Sequence, residues 1–204
     1  MSKKPFTFRA LLLVCFITSL TASAQEPDFG KWLYARDEFS NGSSTGLIVH
    51  NGYPRGGATY TDATGKTYSY VIFWTRLYNA GDVPVKLDIG FPSELVKIFP
   101  TPEQHIRLFL RPDSMTPDKV YEFDYGFTDL KTFLDAAIRQ PVTLNRTLLP
   151  GQSCMLHIPV LFSNVRGSAR AAMVLKGREV FLKFSVSPDV DSAMIPCGTA
   201  VFRK

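Results

Sequence analysis

The chain has 204 residues, with 23 Lys and Arg against 18 Asp and Glu, a formal net charge of +5 and 45% hydrophobic residues. That length suits one domain or two small ones and allows a sizeable core. Three of the basic residues, Lys3, Lys4 and Arg9, fall in the first ten positions; without them the excess is about +2, which removes the main argument for nucleic acid or an anionic membrane surface as partner.

The first 24 residues read as a cleaved signal peptide. The basic start is followed by the apolar run Leu11 to Leu20, then by Thr21-Ala22-Ser23-Ala24. That small-x-small close places cleavage after Ala24. The run is about half of the roughly 20 apolar residues that span a bilayer. The expected mature chain is a single domain over residues 25–204, exported to the periplasm, the cell surface or the medium, with no membrane span. Cys15 leaves with the leader, and Cys154 and Cys197 remain. Disulfides persist in such a compartment. A bridge closing a loop of about 44 residues is worth about 4 kcal/mol by chain entropy, so a Cys154–Cys197 disulfide is expected.

Beyond the leader the texture is short apolar alternations separated by Gly, Pro, Asn and Asp, which reads as strands. Lys31 to Phe39 and Gly46 to His50 are the first two, and Asn51 to Gly57 is expected to be irregular. Ala58 to Thr61 and Thr67 to Tyr78 flank a short polar turn containing Gly65, a hairpin signal. The second arm, TYSYVIFWTRLY, is apolar on both faces and is expected to be a central strand. Asn79-Ala80-Gly81-Asp82 then turns the chain into Val83 to Phe91, which alternates as a half-buried strand. Pro84 lacks an N–H and places this strand's start on a possible edge. Glu94 to Phe99 and His105 to Leu110 follow as strands around Pro100-Thr101-Pro102, and Arg111 to Lys119 is read as a loop.

Thr128 to Ile138 breaks the pattern. Leu130, Phe133, Leu134 and Ile138 recur at helical spacing, Thr128 or Asp129 is a candidate cap, and Pro141 follows the end. One short inserted helix near 128–138 is expected. Strands resume at Val142 to Leu148, at the alternation Cys154, Leu156, Ile158, Val160, Phe162, and at the pair Ala172 to Leu175 and Val180 to Val186. Ala200 to Arg203 adds a last short strand. So many strands around one helix indicate an all-β fold, a sandwich rather than a barrel.

Two stretches carry a family likeness. LYNAGDVPVKLDIGFP, Leu77 to Pro92, and LNRTLLPGQSCMLHIPVLF, Leu144 to Phe162, resemble the turn-and-strand segments of bacterial immunoglobulin-like modules. The resemblance implies an extracytoplasmic immunoglobulin-like β-sandwich used for adhesion, assembly or accessory roles, and it supplies no catalytic residues. The extra length and the inserted helix depart from the simplest modules of that kind.

The residues that carry chemistry are sparse. His50, His105 and His157 form no spaced metal motif, and C-x-x-C is absent. Cys154 and His157 stand three apart, which in a strand puts them on opposite faces. His157 is therefore expected away from the strand's apolar side, and neither a metal nor a cofactor is expected. G-x-S-x-G is missing; Gly42-Ser43-Ser44-Thr45-Gly46 lacks the strand-to-helix setting and reads as a turn. Gly56-Gly57 precedes no helix that would cradle a phosphate.

Aromatics make up 13% of the chain. Tyr53, Tyr60, Trp74, Tyr121, Phe123 and Tyr125 are candidates for a glycan or peptide platform, because such rings join apolar area to a polar handle. Trp74, in the central strand, is assigned to the core. Tyr121 and Tyr125, interleaved with Glu122 and Asp124, are the candidate ligand-binding residues. Asn41-Gly42-Ser43 and Asn145-Arg146-Thr147 match the glycosylation acceptor pattern. The expected function is non-enzymatic, a binding, accessory or assembly role in the cell envelope with a protein or glycan partner, using a loop surface or a sheet edge such as that of the Pro84 strand. The alternative is a glycan-directed hydrolase working with carboxylates of the 113–129 region, namely Asp113, Asp118, Glu122, Asp124 and Asp129.

Overall fold

The computed structural model describes residues 27–40, 45–98, 105–163, 167–186 and 192–203. The expected leader over residues 1–24, Asn41 with its acceptor pattern, Gly42-Ser43-Ser44 and Pro100-Thr101-Pro102 lie outside the described residues. Thirteen strands and one α-helix occur among the described residues: β1 (Leu33–Ser40), β2 (Thr45–Gly52), β3 (Arg55–Thr61), β4 (Thr67–Asn79), β5 (Val85–Gly90), β6 (Val96–Lys97), β7 (His105–Leu108), β8 (Arg111–Pro112), α1 (Leu130–Ala137), β9 (Thr143–Leu148), β10 (Ser153–Ser163), β11 (Ala169–Lys176), β12 (Glu179–Val186) and β13 (Ala193–Phe202). They build two antiparallel sheets in an all-β, sandwich-like arrangement.

Sheet A is organised on the two long strands β4 and β10, paired from Ser153 against Tyr78 to Phe162 against Ser69. The free side of β4 takes β2 beside its C-terminal half and β3 beside its N-terminal half. The free side of β10 takes β8 and β7 in the same way, and β1 and β6 close the two edges. Sheet B runs β11-β12-β13-β5-β9. β5 is thus flanked by β13 and β9, so the Pro84 strand is interior and not the edge expected. Two loops also shrink. β2 and β3 occupy most of the stretch expected to be irregular, and Arg111-Pro112 forms β8 where a loop was expected.

The alternations sort the core. Phe73 and Leu77 of β4 and Cys154, Leu156, Ile158, Val160 and Phe162 of β10 face sheet B, where they meet Val85, Leu87 and Ile89 of β5 and Leu182 and Phe184 of β12. Ile72, Trp74 and Met155 point out of sheet A on its other side and are buried there by a second cluster. That second layer is the chain between β8 and β9, together with the N-terminal turn around Phe29. α1 lies in it, with Leu134 and Ala137 buried beside Leu161 of β10. The helix has Asp129 at its N-cap position but no side-chain capping bond; that carboxylate is turned to Arg111 instead.

Two buried asparagines join the sheets. Asn51 at the end of β2 accepts from Met173 N (2.7 Å) and donates to Met173 O (3.2 Å), so its amide acts as a strand partner for β11. Asn79 donates to Val83 O (2.8 Å) and Leu148 O (2.9 Å) and accepts from Gly81 N (3.1 Å). The polar turn after β4 is therefore anchored from inside, with each amide atom satisfied.

The expected disulfide is absent. Cys154 and Cys197 are buried free thiols. Cys154 stands on β10 in sheet A, whereas Cys197 stands on β13 in sheet B and donates to Val180 O at 3.4 Å. Cys197 is the extra residue of a bulge, since Val180 pairs with Gly198 and Phe181 with Pro196. Only glycine fits next to it: Gly198 has φ +143°, and a Cβ there would lie 1.9 Å from Asp88 O. Loop entropy favours a bridge but does not supply the close Cα approach that one requires. Burial pushes Cys154 up to about 11 and Cys197 up to about 12, so both stay protonated at neutral pH.

Candidate functional site

The segment Tyr121–Tyr125 lies on the outer layer of sheet A and spans the junction of two short 3-10 turns, Asp118–Tyr121 and Phe123–Gly126, with Glu122 between them. Its backbone is unusual. Asp124 (φ 45°), Tyr125 (φ 56°) and Gly126 (φ 68°) are left-handed in succession. Glycine holds that shape freely, but the other two residues cost about 1–3 kcal/mol each. The strain persists because the surroundings hold both side chains.

Tyr125 is wholly buried, contrary to its expected place on the surface. Its hydroxyl donates to Tyr53 O at 2.6 Å, and its ring packs in the cluster with Trp74 and Phe29. Burial pushes the phenol up to about 12. Asp124 is buried as well, with Oδ2 accepting from the Tyr70 hydroxyl at 3.0 Å. Burial, then the Asp124 bond, raises the Tyr70 pKa. Of the four expected ligand-binding residues, then, Asp124 and Tyr125 turn inward, while Tyr121 and Glu122 are exposed. The inward turn reverses the side-chain direction and presents Phe123 to solvent at 86% exposure, beside Tyr121 at 62%. Tyr121 is steadied by donating to Asp28 O at 3.1 Å.

His157 fastens this segment from below. It is on the face of β10 opposite Leu156 and Ile158, as its register requires, but it is buried there rather than solvated. Its Nε2 lies 2.9 Å from Tyr125 O. A carbonyl only accepts, so Nε2 carries the proton, and Nδ1 accepts from the Ser114 hydroxyl at 2.7 Å. Burial lowers the His157 pKa to about 4, so the ring is neutral at pH 7. The Ser114–His157 polarity is that of a nucleophile and its base. Its setting is that of a clasp: Phe127 covers the ring at 5.0 Å, and Lys119 donates to Ser114 O at 2.6 Å.

The other carboxylates of the 113–129 region have separate partners. Asp113 forms a two-pronged pair with Arg146 (2.6 and 2.7 Å). Asp129 forms one with Arg111, whose guanidinium stacks on Phe127 at 4.5 Å and holds that carboxyl below its ordinary range. Asp118 is fully exposed, and a bond from Thr116 lowers its pKa. Among the described residues, no three His, Cys, Asp or Glu side chains gather as they would around a metal ion. No helix there is long and apolar enough to cross a membrane.

Beside the turn lies a second arrangement that sequence reasoning did not find. The Arg55 guanidinium is 4.0 Å from the Trp32 ring and 4.6 Å from the Tyr125 ring. Arg170 of β11 is 5.2 Å from Tyr53 and 5.9 Å from Tyr34. These residues come from four separate stretches of chain, and no spacing rule links them. Compared with protein-family models, with curated proteins and with solved structures, the chain gives no match in any of the three.

Proposed function

We propose that the chain is an exported, non-enzymatic, immunoglobulin-like sandwich that works by binding a protein or glycan of the cell envelope, and that the Tyr121–Phe123 turn is its contact surface. One observation carries this reading. Phe123, the most exposed of the large apolar side chains among the described residues, sits on a backbone held in a strained left-handed turn by buried bonds. A folded chain gains nothing in stability from a solvated phenylalanine on a costly turn, whereas a rigid aromatic knob loses little entropy on binding. The leader at residues 1–24 supports export. Asp113 and Asp129, neutralised by arginines, support binding over hydrolysis.

The reading is tested with Phe123→Ser and Tyr121→Ala in purified mature protein, probed against envelope fractions and a glycan array. The expected result is a loss of about tenfold or more in affinity with an unchanged unfolding midpoint, as for an aromatic anchor. Binding equal to that of the unsubstituted chain would remove the turn from the contact.

A further inference from the structure

We infer that the surface formed by Lys31, Trp32, Tyr34, Tyr53, Arg55 and Arg170 is a binding site for an acidic saccharide, one whose sugar rings carry carboxylate or phosphate groups. The site is separate from the Phe123 knob and stands whether or not that knob binds.

The patch is continuous through its contacts. Lys31 Nζ is 4.9 Å from the Trp32 ring, and Arg55 lies on the same ring at 4.0 Å. Tyr53 N donates to Trp32 O at 3.2 Å, which fixes the loop between β2 and β3 to the N-terminal turn. The Tyr53 ring is 5.4 Å from Tyr34, and Arg170 covers both. The patch thus wraps the border where β1 of sheet A meets β11 of sheet B.

Three features point to an anionic ligand. Lys31, Arg55 and Arg170 form no ion pair among the described residues, while Arg36, Arg111 and Arg146 do. Two of the neighbouring acids are engaged elsewhere, Asp28 by Gly30 N at 2.8 Å and Glu38 by Arg36, and Asp124 is buried under the turn with one oxygen bonded to Tyr70. The two guanidiniums are already stacked on aromatic rings, so their orientation is set before a ligand arrives; Arg55 keeps its N–H edges for a planar oxyanion, while Arg170, whose Nη1 donates to Ala169 O at 2.8 Å, offers its remaining N–H groups. The rings between them select a saccharide over a bare ion. Tyr34 is 38% exposed and Tyr53 half-buried, which offers flat apolar area with hydroxyl handles beside the cations.

The chain contains two tryptophans, Trp32 at the patch and Trp74 fully buried, so Trp32 fluorescence reports occupancy. The mature protein is titrated with oligogalacturonate, a phosphorylated glucosamine disaccharide, neutral oligogalactose, inorganic phosphate and phosphatidylglycerol vesicles. Saturable binding to either acidic saccharide, weakening with salt and absent for oligogalactose, is expected. Arg170→Ala is expected to weaken it by about tenfold or more, the loss of one charge-assisted pair. Arg55→Ala should do the same; Arg55→Lys, which keeps the charge but not the fork, controls for folding and should recover only part. Arg178→Ala, outside the patch, should bind normally. Binding to neither acidic saccharide, equal binding to oligogalactose, binding confined to phosphate or vesicles, or full affinity in Arg170→Ala would each overturn the assignment.

Discussion

The two sheets treat their outer faces in opposite ways. In sheet B, β12 alternates buried with exposed or half-buried residues, and Glu179 and Lys183 meet water directly. In sheet A, β10 is buried at every position except its two ends, because a second layer covers the far side. A polar outer face needs no cover, whereas one carrying Ile72, Trp74 and Met155 does. The layer that covers it is also where the strained turn, the clasp at His157 and the exposed Phe123 occur. The lesson is that the segment with the irregular backbone is both structural lid and proposed contact surface, whereas the outer side of β12 shows plain alternation.

Paired truncations should break the comparison most visibly. Trp74→Ala, under the covered face, is expected to cost about 3–5 kcal/mol in urea unfolding. Phe181→Ala, half-buried on the open face of β12, should cost about 1 kcal/mol or less. Next comes acid. The His157 pKa is depressed to about 4 in the folded chain, against about 6.5 unfolded. Its contribution is fully present above pH 6.5, and it is lost as the pH falls towards 4, because only the unfolded chain takes up the proton in that window. The loss is roughly 3 kcal/mol, measured as the fall in unfolding free energy from pH 7 to 4. In His157→Gln that slope should flatten by the same amount. Asn51→Ala removes the amide that serves Met173 N and O, leaving a buried donor unpaired, for about 2 kcal/mol. Least of all, Asp113→Asn at the half-exposed Arg146 pair should cost less than about 1 kcal/mol.

The part of the fold legible in sequence was the part written in periodicity. Val85, Leu87 and Ile89 face the inter-sheet core as their alternation requires, and α1 lies within residues 128–138. Phe73 and Trp74 fall on opposite sides of a central strand, as the doubly apolar pattern of β4 implied. What alternation cannot encode is which strand lies beside which. β5 is interior because β9, some fifty residues on, pairs with it. The cysteines share a core without bonding for the same reason, since each is fixed by its own sheet.

The site was harder still to read. Tyr121 and Tyr125 look alike in sequence, both flanked by acids. The left-handed turn at Asp124-Tyr125-Gly126 separates them, sending one ring out and one in. Gly126 was a visible hint of such a turn, but Asp124 and Tyr125 adopt it only because Tyr53 O, Tyr70 and His157 are in place to hold them. Stacking of Arg55 and Arg170 on aromatic rings joins four separate stretches of chain and left no signal that spacing could reveal.

The proposed contrast between a contact-bearing lid and the open face of sheet B is tested most directly by placing a photo-crosslinking benzoyl-phenylalanine at position 123 or at position 181 of the chain and irradiating it with envelope material from its source. The expected result is a discrete adduct from position 123 and none from position 181. An adduct from position 181, or none from position 123, would contradict the assignment of the contact surface to the covered side of sheet A.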